Sequence, residues 1–345
     1  MATLYLTEQG SKLVKDQRRL VVEKDGEVIF EVPAFKVDRV LIFGNVAITT
    51  PAMSFLLENG IDTAFLTIHG RLKGRLVPIE SKNVVLRMRQ FERAKDQGFA
   101  LSLAKQMLEG KFKNAKRVIQ RYSRNHPEEG DFTATFDELD RLIGAIPRKE
   151  TLNALMGLEG QASAAYFQAY GKMFRTEMEF TTRSRRPPRD PPNALLSLGY
   201  TLLVNEAVGV LAGVGFDPYV GFYHGIHYGR PSLALDLLEE FRHAIVDRLV
   251  LTLLNKQILK AQDFQAAAEE GAGEGDQEAG LPQGVYLTAE GRKTFFMHYE
   301  ERMQGVFGHP KTGERVTLRK LLLHQAQALA KAVMEDMVYE PFVIE

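Results

Sequence analysis

The sequence contains no cysteine and no tryptophan among its 345 residues. The lack of cysteine excludes disulfide bonds, thiolate zinc sites and a cysteine nucleophile. The N-terminal stretch also lacks the basic and then apolar pattern of a secretory signal peptide. There is no excess charge of either sign, because 44 basic residues balance 44 acidic ones. Affinity for nucleic acid must therefore come from local patches, and we expect a cytoplasmic protein.

The apolar content indicates a folded protein with packed cores. With 45% hydrophobic and 26% charged residues, the chain can bury substantial cores, and its length favours two domains over one. The longest apolar run is Asn193–Phe216, which Asn205, Glu206 and several glycines interrupt. Such interruptions favour a helix buried in protein over one that spans a bilayer, so we expect no membrane association.

The first 80 residues show the pattern of β structure. Short runs rich in β-branched and aromatic residues predict strands at Arg19–Glu23, Val28–Val32, Arg39–Phe43 and Ile61–Ile68. A short helix is predicted at Ala52–Asn59, between a proline and a glycine. We therefore expect a β-rich, β-sandwich-like domain over residues 1–80.

From residue 83 onward the hydrophobic period changes from 2 to 3.6, which predicts an α-helical domain over residues 81–345. An acidic, glycine-rich stretch at 265–283 has no packing potential and predicts a flexible loop. The first two helices are basic and can contact phosphates, although single charges on a helix are usually just solvated. The helices are predicted at Val84–Gly110, Phe112–Asn125, Phe132–Ile146, Glu150–Tyr170, Asn193–Gly213, Pro231–Ala261, Thr288–Gly305 and Thr317–Met337.

The segment 221–242, GFYHGIHYGRPSLALDLLEEFR, has the residues of a metal site. A loop rich in glycine and aromatic residues carries His224 and His227, and a helix starts near Pro231. Asp236 and Glu239 are three residues apart on that helix and so share a face. Imidazole and carboxylate ligands together suit Mg²⁺ or Mn²⁺. The alternative is that these acids are solvated surface residues and that the histidines bind no metal.

Glu159 lies on an apolar helical stripe formed by Leu152, Leu155, Met156, Ala162, Ser163 and Tyr166. A carboxylate at a buried position must be paired, protonated or bound to a metal. Glu159 is thus a second candidate ligand, or else an edge residue paired with an arginine.

Residues 181–192, TTRSRRPPRDPP, combine four arginines with four prolines, so they cannot form regular structure. Asp190 and Pro191 have the pattern of a helix N-cap and first turn, which places Asn193 at the start of a buried helix. The basic segment is either a clamp for phosphates or a connector that is basic for solubility.

The motifs MGLEG, PPNALLSLGYTLL and GFYHGIHYGRPSLALDLLEEFR, in this order, resemble the CRISPR-associated integrases of spacer acquisition, the family of the Cas protein numbered one. The resemblance covers most of the chain, including GNVAITTPAMSFLLENGIDTAFLTIHGRLKGRL in the β-rich part. It implies that Glu159, His224 and Glu239 are catalytic metal ligands, with Asp236 as a secondary one. It also implies a two-domain α+β fold, with an N-terminal β domain for dimerisation and a mainly α-helical, metal-dependent catalytic domain.

The implied activity is that of a metal-dependent DNA endonuclease and integrase in prokaryotic antiviral defence. A 3′-OH of a short double-stranded DNA attacks a phosphodiester of a CRISPR repeat array, with Mg²⁺ or Mn²⁺ as cofactor. The implied partners are this DNA, a second copy in a homodimer, and the Cas protein numbered two. Candidate DNA-binding residues are Arg183, Arg185, Arg186, Arg230 and Asn193. Two alternatives stay open: a non-catalytic DNA-binding scaffold, and a metallohydrolase of small molecules that uses His224, His227 and Asp236.

Overall fold

A computed structural model describes residues 2–68, 70, 72–77, 83–184, 187–266, 284–308 and 313–344, without the side chain of Phe307. Contacts divide the chain into two compact units, Met1–Lys82 and Asn83–Glu345. The predicted acidic loop falls largely on 267–283, outside the described residues. The role of the first unit in dimerisation stays a prediction.

The first unit is built from two four-stranded sheets and a short helix. One sheet has the order β1-β5-β7-β8, with the first three strands parallel, and the other has the order β4-β3-β2-β6. The elements are β1 (Ala2–Leu6), β2 (Lys12–Asp16), β3 (Arg19–Lys24), β4 (Glu27–Pro33), β5 (Val37–Phe43), β6 (Ala47–Ile48), α1 (Thr50–Glu58), β7 (Asp62–Leu66) and β8 (Leu72–Leu76).

Buried side chains from both sheets and from α1 form a single cluster, with Leu13, Val40 and Leu56 fully buried. The β-branched and leucine residues of the predicted strands supply this core because alternate side chains of a strand share one face. A β-rich first part followed by a helical second part confirms the predicted fold class.

The second unit is mainly helical, with two small antiparallel strand pairs, β9 with β10 and β11 with β12. Its elements are α2 (Val84–Lys95), α3 (Gln97–Asn125), α4 (Thr133–Ala145), α5 (Leu152–Gly171), α6 (Pro191–Val214), α7 (Ser232–Leu238), α8 (Arg248–Asn255), β9 (Phe264–Ala266), β10 (Val285–Leu287), α9 (Ala289–Gln304), β11 (Val306–Gly308), β12 (Arg315–Thr317) and α10 (Leu318–Glu335).

The first helix boundary differs from the prediction. The break comes at Asp96, whose side chain accepts a hydrogen bond from the Phe99 amide and so caps α3. Gly110 lies inside α3 instead of ending it. A Cβ at Gly110 would lie 2.6 Å from the Cβ of Pro341, so the glycine permits close packing against the C-terminal segment.

The helix predicted from residue 231 to 261 is also interrupted. It begins as α7, passes through a π-helix at His243–Asp247 and continues as α8, which ends at Asn255. The sequence predicts one helix because its apolar period continues across the interruption. Residues 265 and 266, predicted as loop, belong to β9 and pair with β10.

Helix α6 is long and apolar enough to span a membrane by length and composition, but 61% of its most apolar window is buried in the protein. It packs against α7 and α10. This agrees with the expectation that the run is a core helix. Its glycine C-cap, Gly215, has a φ of 115°, a left-handed conformation that ends the helix.

Candidate metal centre

Two helices and a loop of the second unit bring Glu159, His224 and Glu239 near one another. Helix α5 carries Glu159, the loop after α6 carries His224, and the C-cap of α7 is Glu239. The His224 Nε2 atom lies 3.8 Å from Glu239 Oε1. Both glutamates contact one ammonium group, that of Lys111. The structure therefore places the three residues that the family resemblance singles out in one neighbourhood, with Lys111 between the two glutamates.

The loop that carries His224 is held by Asp236. One carboxylate oxygen, Oδ2, accepts hydrogen bonds from the amides of Phe222 and Tyr223 at 2.6 and 3.0 Å. The other oxygen accepts from the amide of His224 at 2.8 Å and pairs with His224 Nδ1 at 2.7 Å. A Cβ at Gly221 would lie 2.8 Å from Asp236 Oδ2, so only glycine fits there.

This arrangement fixes the orientation of the imidazole. With Nδ1 bonded to Asp236, the Nε2 atom of His224 faces Glu239 and offers its lone pair to a cation. Metal-binding histidines commonly have their second nitrogen bonded to a carboxylate in this way. Asp236 is fully buried and both its oxygens are occupied by loop donors. These bonds favour Glu239 over Asp236 as the ligand, and the secondary-ligand role of Asp236 stays a prediction.

Lys111 lies between the two glutamates. Its Nζ atom contacts Glu159 Oε1 and lies 2.6 Å from Glu239 Oε2. The lysine side chain is only 6% exposed. The sequence offers one clue to this burial, because Lys111 shares the buried face of α3 with Met107, Leu108 and Ala115. A lysine at a core position calls for a carboxylate partner.

The charges of the site keep both glutamates ionised. Burial acts to raise the pKa of Glu239, but the Arg242 guanidinium, 3.0 Å away, and then Lys111 and His224 hold it well below the usual range. Burial also opposes ionisation of Glu159, yet the charge of Lys111 leaves its pKa below the usual value. Glu159 also accepts a hydrogen bond from Ser163 Oγ at 2.9 Å.

Glu159 and Met156 differ from the predicted stripe. The Glu159 side chain is 28% exposed rather than buried, and Met156 is 38% exposed. Leu155, Ala162 and Tyr166 of the stripe are buried as expected. A partly open glutamate beside a buried one gives the site a side that solvent or a substrate can reach.

The donor set suits Mg²⁺ or Mn²⁺ in kind: two carboxylates and one imidazole nitrogen. One buried atom supports this fit, because the Tyr223 hydroxyl has no hydrogen-bond partner within the described residues. Across those same residues, no three His, Asp or Glu side chains stand at metal-binding distances from one another. The Lys111 ammonium occupies the space between the glutamates instead.

A buried polar network lies next to the site. Asp247, at the end of the π-helix, accepts hydrogen bonds from the hydroxyls of Tyr166 and Tyr200 at 2.9 and 2.6 Å. His243 Nδ1 pairs with the same aspartate at 2.7 Å. Because Tyr166 is on α5 and Tyr200 on α6, the network holds both helices to the segment that follows Glu239. The sequence gives no sign of this network, since its members lie on separate helices.

Two of the candidate DNA-binding residues are occupied within the protein. Asn193 is fully buried, and its amide oxygen accepts from Arg183 and from the Ser184 amide. Its amide nitrogen donates to Thr182 O and Asp190 Oδ2. Arg183 also donates to Ser197 Oγ at 3.2 Å and stacks over the Tyr200 ring. Both residues therefore shape the connector before α6.

The other DNA-binding candidates are three arginines. Arg230 is half-buried at the end of the loop that carries His224. Arg185 and Arg186 lie outside the described residues. His227 is exposed, whereas Asp236 is buried, so the set of His224, His227 and Asp236 is not assembled.

Comparison with known proteins identifies the family. The family model described as "CRISPR associated protein Cas1" matches residues 4–301. The chain belongs to the Cas1 family. The "CRISPR-associated endonuclease Cas1 3" of Thermus thermophilus is 34% identical over 347 residues, which cover 100% of this chain and 98% of that protein. The "CRISPR-associated endonuclease Cas1 2" of Rhodospirillum rubrum is 36% identical over 351 residues, covering 99% of this chain and 97% of that protein.

Solved structures of Cas1 proteins share the fold. A Cas1 protein from Thermotoga maritima has a TM-score of 0.80 at 24% identity, covering 99% of this chain and 100% of that one. A chain of a Cas6-RT-Cas1–Cas2 complex has a TM-score of 0.81 at 26% identity. The match covers 99% of this chain and 36% of that longer chain.

Proposed function

We propose that this Cas1 family member is a metal-dependent DNA endonuclease and integrase that inserts short double-stranded DNA into a CRISPR repeat array. One observation carries the proposal: Glu159, His224 and Glu239 converge from three segments, with the imidazole oriented by Asp236. The full-length likeness to curated Cas1 endonucleases supports the same activity.

Glu159, His224 through Nε2, and Glu239 would hold one Mg²⁺ or Mn²⁺. When bound, such an ion withdraws charge from a phosphate oxygen and promotes ionisation of the attacking hydroxyl. Asp236 fixes the tautomer of the neutral imidazole, because it accepts from Nδ1–H and leaves the lone pair on Nε2, the nitrogen that faces Glu239. Arg242 and Lys111 keep both glutamates in the ionised form that a cation requires.

The nucleophile decides between the two outcomes. Attack by the 3′-OH of the incoming DNA joins it to the array, and attack by water cleaves the strand. Partly exposed Glu159 marks the side from which a phosphodiester reaches the site. The residues of the site do not differ between the two reactions, so positioning of the DNA selects between them.

DNA, a second copy of the chain and the Cas2 protein are the proposed partners. A related chain stands in a Cas1–Cas2 complex, and a protein of the same fold is a casposase bound to its integration product. For DNA contacts we favour Arg185, Arg186 and Arg230 over Arg183 and Asn193, whose side chains are occupied inside the protein. The cytoplasmic location stays a prediction.

The test is a strand-transfer and cleavage assay with branched DNA, with and without Mn²⁺. Glu159→Ala and His224→Ala should abolish both products while DNA retention on a gel persists. Near-normal strand transfer by either variant would show that the metal assignment is wrong. An inactive wild type that still retains DNA would favour the scaffold alternative.

A salt titration tests the DNA contacts separately. Arg186→Ala should weaken binding and lower the slope of log K against log salt, because one phosphate contact is lost. Arg183→Ala is the comparison variant, and it should act mainly through the stability of the connector. Unchanged binding by Arg186→Ala across the titration would remove that contact.

A further inference from the structure

We propose that the ammonium group of Lys111 occupies the position of the divalent cation, and that the cation binds between Glu159 and Glu239 only by displacing it. This inference rests on the proposed function, because it concerns the same pair of glutamates. It assigns to Lys111 a positioning and gating role toward the metal.

The geometry places Lys111 as a bridge. Its Nζ atom contacts Glu159 Oε1 and is 2.6 Å from Glu239 Oε2, so one positive group holds two carboxylates from α5 and α7 together. The contact with Glu239 is an ion pair between two almost fully buried side chains. A divalent cation that binds both carboxylates needs the same space.

The charges of the site lead to the same conclusion. Glu159 and Glu239 carry two negative charges, which Lys111 and Arg242 already neutralise. A divalent cation added beside an unmoved Lys111 would leave a surplus of two positive charges in a site where Glu239 is 3% exposed. Withdrawal of the lysine halves this surplus, and its flexible four-carbon stem permits the movement.

Arg242 does not share this role. It pairs with the other oxygen of Glu239, Oε1, at 3.0 Å and stacks over the ring of Tyr200. These two contacts hold the guanidinium to one side of Glu239, whereas Lys111 lies between the two glutamates. Lys111 is therefore the group that a cation bound to both glutamates must move.

The experiment measures Mn²⁺ affinity, by titration calorimetry or by the EPR signal of free Mn²⁺, in the full-length wild type and in Lys111→Met. Methionine keeps an unbranched side chain of similar length but removes the charge. We expect Lys111→Met to bind Mn²⁺ about tenfold more tightly, since no ammonium competes. We also expect a lower Tm without added Mn²⁺, because two like charges face each other, and a larger rise in Tm on adding Mn²⁺.

Lys113→Met is the matched control. Lys113 lies two residues away on α3 and pairs with Glu109 at the surface, where its side chain is 44% exposed. Its replacement should leave Mn²⁺ affinity and the Mn²⁺-induced shift in Tm unchanged. Lys111→Gln is a second variant that can still donate hydrogen bonds to the glutamates, and it too should bind Mn²⁺ more tightly.

The outcomes separate this inference from the proposed function. Equal or weaker Mn²⁺ affinity in both Lys111 variants would overturn the displacement of Lys111 and leave the metal site in place. Failure of the wild type to bind Mn²⁺, or binding that Glu159→Gln does not weaken, would overturn the metal site itself. Tighter binding in the Lys111 variants together with weaker binding in Glu159→Gln supports both.

Discussion

Replacing Asp236 by asparagine tests how the loop of His224 is held. Each carboxylate oxygen accepts two hydrogen bonds, so an amide nitrogen in place of either oxygen faces two donors. A hydrogen bond to a charged group contributes about 1.5–3 kcal/mol, so the loss of two should cost about 3–6 kcal/mol of unfolding free energy. The imidazole also loses its fixed orientation, and Mn²⁺ affinity should fall by about 10–100-fold.

Urea unfolding followed by circular dichroism gives the free energy for Asp236→Asn, and calorimetry gives its Mn²⁺ affinity. Asp247→Asn is the control, because Asp247 is also buried and paired with a histidine but does not contact the loop of His224. It should lose comparable stability and keep its Mn²⁺ affinity within about threefold. An Asp236→Asn protein with unchanged stability and unchanged Mn²⁺ affinity would refute the reasoning.

Three further predictions concern neighbouring parts of the helical unit. Burial raises the pKa of Glu240 from 4.5 to about 8, so the folded state holds a proton that the unfolded state releases. The unfolding free energy should therefore fall as the pH rises from 5 to 8. Glu240→Gln should reduce this dependence of unfolding free energy on pH, and an identical dependence in urea titrations would contradict the prediction. Gly110→Ala should lower the unfolding free energy by about 1–3 kcal/mol, because the new methyl group meets Pro341. Gly157→Ala, at an open position of a helix, should raise it by about 0.5–1 kcal/mol. Equal effects of the two substitutions in thermal unfolding would contradict the close packing at Gly110. Tyr223→Phe should raise the unfolding free energy by about 1 kcal/mol, because it removes a buried hydroxyl without a partner in the described structure, and a loss of stability would reveal a partner.

The overall fold follows largely from local patterns. Strands such as β3 and β5 are evident from runs of β-branched residues, and α5 and α10 from their apolar period. The break at Asp96 and the π-helix at His243–Asp247 were not predictable in this way. The π-helix is held by tyrosines of α5 and α6, and hydrogen bonds between distant helices leave no local pattern.

The site, like the fold, was predictable in part. Family resemblance singles out Glu159, His224 and Glu239, and the structure brings them together. Lys111 is not singled out by the sequence, because a lysine among the charges of a basic helix is usually solvated. Its position on the apolar face of α3 was the available clue. The amide of Asn193 is buried because it forms hydrogen bonds with the connector before α6. These bonds can be recognised only once the fold is known.

The most direct test of the metal centre is anomalous diffraction from crystals of the protein soaked in Mn²⁺. We predict one peak within about 2.0–2.3 Å of Glu159, His224 Nε2 and Glu239, with the Lys111 ammonium moved away from both glutamates. A peak bound elsewhere, with these three side chains unchanged, would contradict the account.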